Sequence, residues 1–269
     1  MAGTPAPGRR AILLDIDGVL YVDGEAVPGA RDALDQLRAL GEVRLVTNTT
    51  SRSRRQVHAH LRALGFEVER DEVLTPAANA MRHCRERGHR RVSLLVVDAL
   101  REDLGELAEA AGDEEVDAVV LGDIGDDFTP AVLNRALRQL LAGAELVALQ
   151  HNRLYRRHGE LVLDVGAYAS ALEYGSGRAA VVVGKPDPRF FAAALAEVGA
   201  RPADAVMVGD DVEADVGGAM AAGLEGVLVR TGKFREELVA GSGVTPTAVV
   251  DSIAAVPELL AAWATGAGR

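Results

Sequence analysis

Short apolar runs alternate with longer amphipathic segments from one end of the chain to the other. This alternation is typical of βαβ units that build a mostly parallel sheet. The apolar runs predict strands at 11–14, 43–46, 92–97, 118–121, 146–149, 180–183, 205–208, 226–229 and 248–250. The segments with apolar residues at helical spacing predict helices at 30–40, 53–64, 131–141, 189–198 and 212–222.

A long segment in the middle of the chain has its own alternation of strands and helices. It begins at Thr75-Pro76 and ends at Gly175-Ser176-Gly177, both of which are typical of loops. We therefore expect an inserted α/β domain at 75–178 and a discontinuous core domain formed by 1–74 and 179–269. The predicted fold class is α/β, with a doubly wound parallel sheet in the core.

A short hairpin is predicted directly after the first strand. Residues 21–27 carry Asp23-Gly24 at their centre, and an Asp-Gly dipeptide favours the tight turn of a two-residue hairpin. A hairpin of this length is too short to enclose a substrate alone, so any larger cover has to come from the inserted domain.

Net charge and cysteine content narrow the classes of partner and compartment. The 269 residues carry a formal net charge of −11, which argues against nucleic acid and anionic membrane as partners. No apolar run is long enough to cross a bilayer, and residues 1–10 lack the apolar segment of a secretory signal. With Cys84 as the only cysteine, these features predict a cytoplasmic protein in a reducing compartment.

Two carboxylates, Asp15 and Asp17, come at the end of the first predicted strand and are followed at once by Gly18. Side chains two residues apart on a strand point the same way, so both can face one site where the chain leaves the sheet. In parallel α/β sheets, ligands bind at this edge. Because two buried like charges are costly without a cation or a shared proton, the pair predicts a metal and an anionic substrate.

Three further predicted strands end in polar residues of the kinds that phosphoryl transfer needs. Their hydroxyl, amide, ammonium and carboxylate groups suit non-bridging phosphate oxygens and a hard cation such as Mg²⁺. Each of these residues alone is more typical of a turn, a helix cap or a solvated loop, but their occurrence together, in order and each after an apolar strand, favours one shared site. The residues are Thr47 and Asn48, then Lys185, then Asp210 and Asp215.

These motifs resemble those of the haloacid dehalogenase-like phosphatase superfamily. The order Asp-x-Asp-Gly-Val, Thr-Asn, Gly-Lys-Pro and Gly-Asp-Asp-x-x-x-Asp spans nearly the whole chain, beginning at Asp15 and ending at Asp215. The long insert between Thr47 and Lys185 resembles the branch with a large α/β cap in that position. Stretches such as Ala171-Leu172-Glu173-Tyr174 are most similar to the subgroup of phospholysine phosphohistidine inorganic pyrophosphate phosphatase and its relatives.

The resemblance implies a role for each of the motif residues. Asp15 would be the nucleophile that forms an aspartyl-phosphate, and Asp17 would donate a proton to the leaving group and then take one from water. Mg²⁺ would be held by the Asp15 carboxylate, the Asp17 backbone carbonyl and Asp210. The remaining implied roles are phosphoryl binding by Thr47 and Asn48, charge neutralisation by Lys185 and support of the metal site by Asp215.

The sequence departs from the family pattern at two places. The chain has Thr47-Asn48-Thr49-Thr50 where this branch commonly has Thr-Asn-Asn-Ser, and it has Asp164-Val165-Gly166 where the subgroup is expected to have Gly-Pro-Gly. A carboxylate at Asp164 would repel acidic substrates if it faced the site. The substrates of the subgroup therefore do not transfer directly to this chain.

Several functions stay open on the same set of residues. A Mg²⁺-dependent phosphatase acting on a small phosphorylated substrate is the leading hypothesis, and a phosphomonoester, a phosphoramidate or pyrophosphate would fit the core. A phosphomutase would return the phosphoryl group to the substrate, and a phosphate sensor would be phosphorylated without turnover. A dehalogenase would attack carbon and would not need Asp17. A homodimer is expected only from the resemblance.

Overall fold

The computed structural model of the protein describes residues 10–110, 112, 114–157 and 160–266. The absence of a secretory signal was predicted from residues 1–10. Residues 1–9 lie outside the described residues. Within the described ranges, no helix combines the length and the apolar character that a membrane crossing requires.

Strands and helices alternate as the apolar pattern predicts. The strands are β1 (Arg10–Asp15), β2 (Tyr21–Val22), β3 (Glu25–Ala26), β4 (Gly41–Val46), β5 (Val73–Leu74), β6 (Arg91–Leu95), β7 (Ala108–Glu109), β8 (Ala118–Leu121), β9 (Glu145–Ala148), β10 (Leu154–Arg157), β11 (Glu160–Leu163), β12 (Val181–Val182), β13 (Ala205–Gly209), β14 (Glu225–Val229) and β15 (Ala248–Val250). The helices are α1 (Ala30–Leu40), α2 (Arg54–Ala63), α3 (Pro76–Arg87), α4 (Asp98–Arg101), α5 (Pro130–Leu141), α6 (Val165–Ser176), α7 (Pro188–Val198), α8 (Gly218–Ala221), α9 (Glu236–Ser242) and α10 (Val256–Ala264).

The chain divides into two compact units. The first contains 1–47, 58–74 and 185–269, and the second contains 48–57 and 75–184. The second unit is therefore inserted in the sequence of the first.

A six-stranded parallel sheet forms the centre of the first unit, with the strand order β15-β14-β13-β1-β4-β5. From β1 the chain builds outward through β4 and β5, and after the insert it builds in the other direction through β13, β14 and β15. This reversal makes β1 the topological switch point, whose carboxyl end is where doubly wound sheets bind ligands. The predicted fold class is confirmed.

The core of the first unit consists of aliphatic strand residues covered by helices. β1 is buried from Ala11 onward, and Leu13 and Leu14 have no exposed surface. α1 packs against α10, while α7 packs against α8 and against β1 and β4. The largest buried side chains on α7, Phe190 and Phe191, meet edge to face with ring centroids 5.8 Å apart. This packing fixes β1 rigidly under the site that its end carries.

The second unit has a parallel sheet of its own, with the strand order β12-β9-β8-β6-β7. Its core includes the fully buried strand β8 and apolar faces of α3, α5 and α6. Thr129 caps α5 by accepting a hydrogen bond from the Val132 amide, and Pro130 occupies the first helical position, as the Thr-Pro sequence predicts. β10 and β11 form an antiparallel pair that the apolar pattern did not predict.

The return from the second unit to the first lies later in the chain than the predicted position at residue 179. β12 pairs with β9 in the second sheet, and the Val183 amide donates to the Ala148 carbonyl at 3.0 Å. These backbone hydrogen bonds keep the chain in the second unit as far as Gly184. Lys185 is the first residue of the returning segment.

Two predictions of local structure, a hairpin and a helix, had different outcomes. The hairpin at Asp23-Gly24 is confirmed, because both residues have positive φ, 51° and 83°, as this tight turn requires. The helix predicted at 212–222 is wrong in its form. A wide π-type turn covers Val212–Gly217, and only Gly218–Ala221 is α-helical.

The stability of the first unit should depend strongly on the packing around β1. We expect Leu13→Ala to lower the free energy of unfolding by about 2–5 kcal/mol, because it removes a fully buried side chain and leaves a cavity. Urea unfolding followed by the fluorescence of Trp263, the only tryptophan, measures this unit directly. The matched control is Leu238→Ala, at a position 59% exposed, for which a change under about 0.5 kcal/mol is expected. Equal losses in the two variants would contradict the burial argument.

Candidate active site

The carboxyl ends of β4, β1 and β13 lie side by side and carry three of the predicted site residues. Asp15 is paired with Val46, the residue before Thr47, and Leu14 is paired with Val208, two residues before Asp210. Because the register is set by parallel ladders, the polar residue that follows each strand comes to the same edge. All three side chains are buried, as expected for a site at the switch point.

Lys185 lies at the centre of this edge. Its Nζ is 2.6 Å from Asp15 Oδ1 and 2.6 Å from Asp215 Oδ1, so a single ammonium bridges the end of β1 and the turn after β13. Lys185, Asp15 and Asp215 are 2%, 5% and 1% exposed. The structure therefore brings together residues that are 170 positions apart in sequence.

Burial and mutual repulsion dominate the electrostatics of the carboxylates. Burial raises the pKa of Asp15 well above its ordinary value, and Asp215 and Asp210 add to the shift while Lys185 opposes it. Burial and the nearby Asp215 raise the pKa of Asp210 to about 6. Burial alone would lower the pKa of Lys185, but Asp15 and Asp215 raise it above its ordinary value. The ammonium stays charged, and further positive charge would favour the ionised forms of Asp15 and Asp210.

A divalent cation fits this need. Carboxylate oxygens of Asp15, Asp210 and Asp215 lie within 4.8 Å of one another, and the buried ammonium of Lys185 offsets only one of their three negative charges. Asp210 Oδ1 is buried and has no hydrogen-bond partner within the described part of the chain, which is costly unless a ligand completes it. Hard carboxylate oxygens are ligands that suit Mg²⁺.

Asp17 has surroundings quite different from those of Asp15. It is exposed and lies in the turn after β1, where the Gly18 amide donates to the Tyr21 carbonyl at 2.8 Å. The Tyr21 hydroxyl donates to Asp17 Oδ1. Asp17 is therefore held at the rim of the edge at which Asp15 is buried.

Asn48 is the one predicted site residue outside the first unit. It is half-buried and is the first residue of the second unit, bonded directly to Thr47. The first unit therefore assembles the other predicted residues, which are Asp15, Asp17, Thr47, Lys185, Asp210 and Asp215.

The comparisons with known proteins agree with this geometry. The family description "haloacid dehalogenase-like hydrolase" matches residues 12–109, and "HAD-hydrolase-like" matches residues 182–256. The phospholysine phosphohistidine inorganic pyrophosphate phosphatase of Xenopus laevis is 39% identical over 265 residues, covering 96% of each chain. This chain belongs to the haloacid dehalogenase-like hydrolases.

Solved structures of this family have the same fold. The p-nitrophenyl phosphatase from Archaeoglobus fulgidus superposes with a TM-score of 0.87 at 28% identity, covering 94% of this chain and 100% of that chain. The glycerol phosphate phosphatase from Mycobacterium tuberculosis, in complex with magnesium, gives a TM-score of 0.80 at 28% identity and covers 94% and 78% of the two chains. The resemblance seen in the motifs is confirmed.

A loop that the sequence analysis did not place at the site completes it in this hydrolase. The segment from Thr231 to Lys233 follows the end of β14. The Lys233 amide donates to Asp210 Oδ2 at 2.7 Å, and the Thr231 hydroxyl donates to the Gly18 carbonyl. The signal for this loop is present in the sequence, because polar residues follow the apolar strand β14 as they follow β1, β4 and β13.

Two glycines leave room for the Asp210 carboxylate. A Cβ on Gly18 would lie 1.9 Å from Asp210 Oδ2, and a Cβ on Gly232 would lie 2.0 Å from the same atom. Both glycines have positive φ, 88° and 62°, which other residues adopt only with strain. Asp210 is therefore fixed between two stretches of backbone and a backbone amide.

A second group of possible metal ligands lies in the second unit. His83 and His89 approach Glu145 Oε2 through their Nε2 atoms at 2.7 and 2.9 Å, and Arg87 lies 3.7 Å from the other carboxylate oxygen. These contacts connect the end of α3 to the start of β9. Since both imidazoles and a guanidinium already satisfy this carboxylate, we interpret the group as a structural ion-pair network.

The space around Asp210 generates a prediction with a close control. We expect Gly232→Ala to weaken the binding of a divalent cation to metal-free protein roughly 10- to 100-fold, because the new methyl displaces the Asp210 carboxylate. The control is Gly243→Ala, which has a similar φ of 69° but no atom within 4 Å of its Cβ. Both variants carry the backbone strain of about 1–2 kcal/mol. Isothermal titration calorimetry that finds equal affinities in the two variants would contradict the role of Gly232.

Proposed function

We propose that this hydrolase is a Mg²⁺-dependent phosphatase that acts through an aspartyl-phosphate on Asp15. The observation that carries the proposal is the buried group of Asp15, Lys185, Asp215 and Asp210 at the switch point. A carboxylate held there beside the Lys185 ammonium, near an Asp210 oxygen that has no hydrogen-bond partner among the described residues, is suited to attack an anionic group whose charge a cation and Lys185 neutralise.

In the first step, an Asp15 carboxylate oxygen attacks phosphorus and the bond between phosphorus and the leaving-group oxygen or nitrogen breaks. The electron pair of that bond goes to the leaving atom, which takes a proton from the Asp17 carboxyl. Thr47 would donate its hydroxyl hydrogen to a non-bridging oxygen, and Lys185 would offset the charge of the transferring group. These residues bind and orient the phosphoryl group, which is most of what phosphoryl transfer requires.

In the second step, water attacks the phosphorus of the aspartyl-phosphate. Asp17, ionised by the first step, accepts a proton from that water, and the Asp15 carboxylate leaves with the electron pair of the broken bond. Orthophosphate is released, and Asp17 is again protonated for the next cycle. One side chain therefore serves as acid and then as base without any net change in the enzyme.

Asp15, Asp210 and the Asp17 backbone carbonyl would hold Mg²⁺, and Asp215 would support them through Lys185 and through the Asp211 amide, which donates to Asp215 Oδ2 at 3.1 Å. When bound, the cation supplies positive charge to the substrate oxygens and favours the ionised form of the Asp15 nucleophile. Support comes from the magnesium complex of the similar glycerol phosphate phosphatase and from the charge deficit of the buried carboxylates.

The proposed class of substrate is a small phosphorylated molecule. The similar proteins are described as phosphatases of p-nitrophenyl phosphate, glycerol phosphate, and phospholysine, phosphohistidine and pyrophosphate. These include phosphorus–oxygen and phosphorus–nitrogen bonds, and both are compatible with attack by Asp15. We therefore propose a test that compares bond types.

Steady-state release of orthophosphate is the direct test of function. The panel contains an aryl phosphate, glycerol phosphate, pyrophosphate and a phosphoramidate, each with Mg²⁺ and with EDTA. We expect wild type to release phosphate only with the metal, and Asp15→Asn to reduce turnover by at least about 10³-fold, because the amide is not a nucleophile. Near-wild-type turnover by Asp15→Asn would refute the proposed chemistry.

The same assay separates the alternatives. Isomeric products without phosphate release would indicate a mutase, and a stable phosphoprotein without turnover would indicate a sensor. A folded, metal-binding protein that releases no phosphate from any member of the panel would contradict the proposed function.

The covalent intermediate is a separate prediction. Acid quenching during turnover should trap phosphate on the tryptic peptide 11–31, and borohydride reduction should convert the modified Asp15 to homoserine, which mass spectrometry locates by residue. The peptide also contains Asp17 and Asp23, so these carboxylates serve as internal controls. Reduction at either of them instead of Asp15 would mean that the nucleophile has been assigned wrongly.

A further inference from the structure

Tyr21 is a buried aromatic residue that touches the predicted proton donor. Its side chain is 8% exposed, whereas Asp17 is exposed. The Tyr21 hydroxyl donates to Asp17 Oδ1. An exposed carboxyl group ordinarily samples several rotamers, so a hydrogen bond from a buried ring is a means of selecting one of them.

The ring of Tyr21 is fixed by its own surroundings. Tyr21 pairs with Ala26 in the β2–β3 hairpin, and its carbonyl accepts the Gly18 amide at 2.8 Å. The His60 ring, on α2, meets the Tyr21 ring edge to face with centroids 4.8 Å apart and an interplanar angle of 85°. The position of the hydroxyl is therefore set by the hairpin and by α2.

We propose that Tyr21 is a positioning residue that orients the Asp17 carboxyl group for proton transfer. The inference rests on the proposed function. The hydrogen bond between the Tyr21 hydroxyl and Asp17 engages Oδ1 and leaves Oδ2 as the oxygen for proton exchange with the leaving group. Tyr21 thereby selects the rotamer of Asp17 and the oxygen that exchanges the proton.

The rate of the first step depends more strongly on the orientation of the Asp17 carboxyl group when the leaving group is more basic. General acid catalysis contributes about 10²- to 10⁴-fold when a proton must be transferred in the transition state. An alkyl alkoxide leaves poorly without that proton, whereas p-nitrophenolate is stable enough to leave as the anion. Loss of the Tyr21 hydroxyl should therefore slow the hydrolysis of alkyl phosphates and have little effect on the hydrolysis of p-nitrophenyl phosphate.

The experiment compares wild type with Tyr21→Phe, which keeps the ring and its contact with His60. The value of kcat/KM, which reports the step that phosphorylates Asp15, is measured for aryl phosphates of increasing phenol pKa and for glycerol phosphate. We expect Tyr21→Phe to lower kcat/KM about tenfold or more for glycerol phosphate and less than about twofold for p-nitrophenyl phosphate. The control Tyr174→Phe removes a hydroxyl at a position 94% exposed and should change neither value.

A double-mutant cycle tests whether Tyr21 acts through Asp17. In an Asp17→Asn background, which lacks the transferable proton, Tyr21→Phe should cause no further loss for glycerol phosphate. An equal additional loss in that background, or a uniform loss across all leaving groups in the single variant, would overturn the inference and indicate a structural effect.

A readout that needs no turnover separates this inference from the proposed function. Crystal structures of wild type and Tyr21→Phe should show Asp17 in one rotamer in the first and in several in the second. A single, unchanged Asp17 rotamer in Tyr21→Phe would refute the positioning role even if the enzyme is active. Absence of phosphate release by wild type would refute the proposed function and, with it, the catalytic meaning of the contact.

Discussion

The site depends on one buried ion cluster, in which Lys185 lies between Asp15 and Asp215. Burying an ion costs several kcal/mol even in a relaxed protein, and an ion pair offsets that cost only when its geometry is good. Here three buried carboxylates lie within 4.8 Å of one another and the buried ammonium of Lys185 contacts two of them, so additional positive charge would stabilise the cluster. The fold accepts this electrostatic cost at the switch point, where a rigid β1 and a parallel register hold the carboxylates in place.

Backbone groups, as well as side chains, hold the residues of this site in position. Asp210 is held by the Lys233 amide and lies against Gly18 and Gly232, with no room for a Cβ on either glycine. The Thr231 hydroxyl ties its loop to the Gly18 carbonyl. A carboxylate confined in this way has few alternative rotamers, which reduces the entropy lost when it binds a cation. The loop after β14 therefore belongs to the site although it supplies no side-chain oxygen to the cluster of carboxylates.

Much of the first unit could be predicted because it follows from local rules. Side chains alternate along a strand, and parallel strands end at one edge of the sheet. The sequence alone therefore predicts that Asp15, Thr47 and Asp210 lie close together. A strand at the position of β12 was also predicted, but the sheet that it joins and the point of return to the first unit could not be, because they depend on hydrogen bonds between β12 and β9. Likewise Asp164, considered as a charge facing the substrate, is buried and caps α6 by accepting from the Val165 amide.

The two aspartates at the end of β1 show how position decides chemistry. Asp15 and Asp17 are the same residue type two positions apart, yet one is buried beside Lys185 and the other is exposed beside the Tyr21 hydroxyl. A nucleophile has to be shielded from water and fixed in direction, whereas a proton carrier has to reach the leaving group and then water. β1 ends at Asp15, and Asp17 lies in the turn that follows it, so the two environments are separated by the end of the strand. The proposed division of roles between the two aspartates therefore depends on where β1 ends.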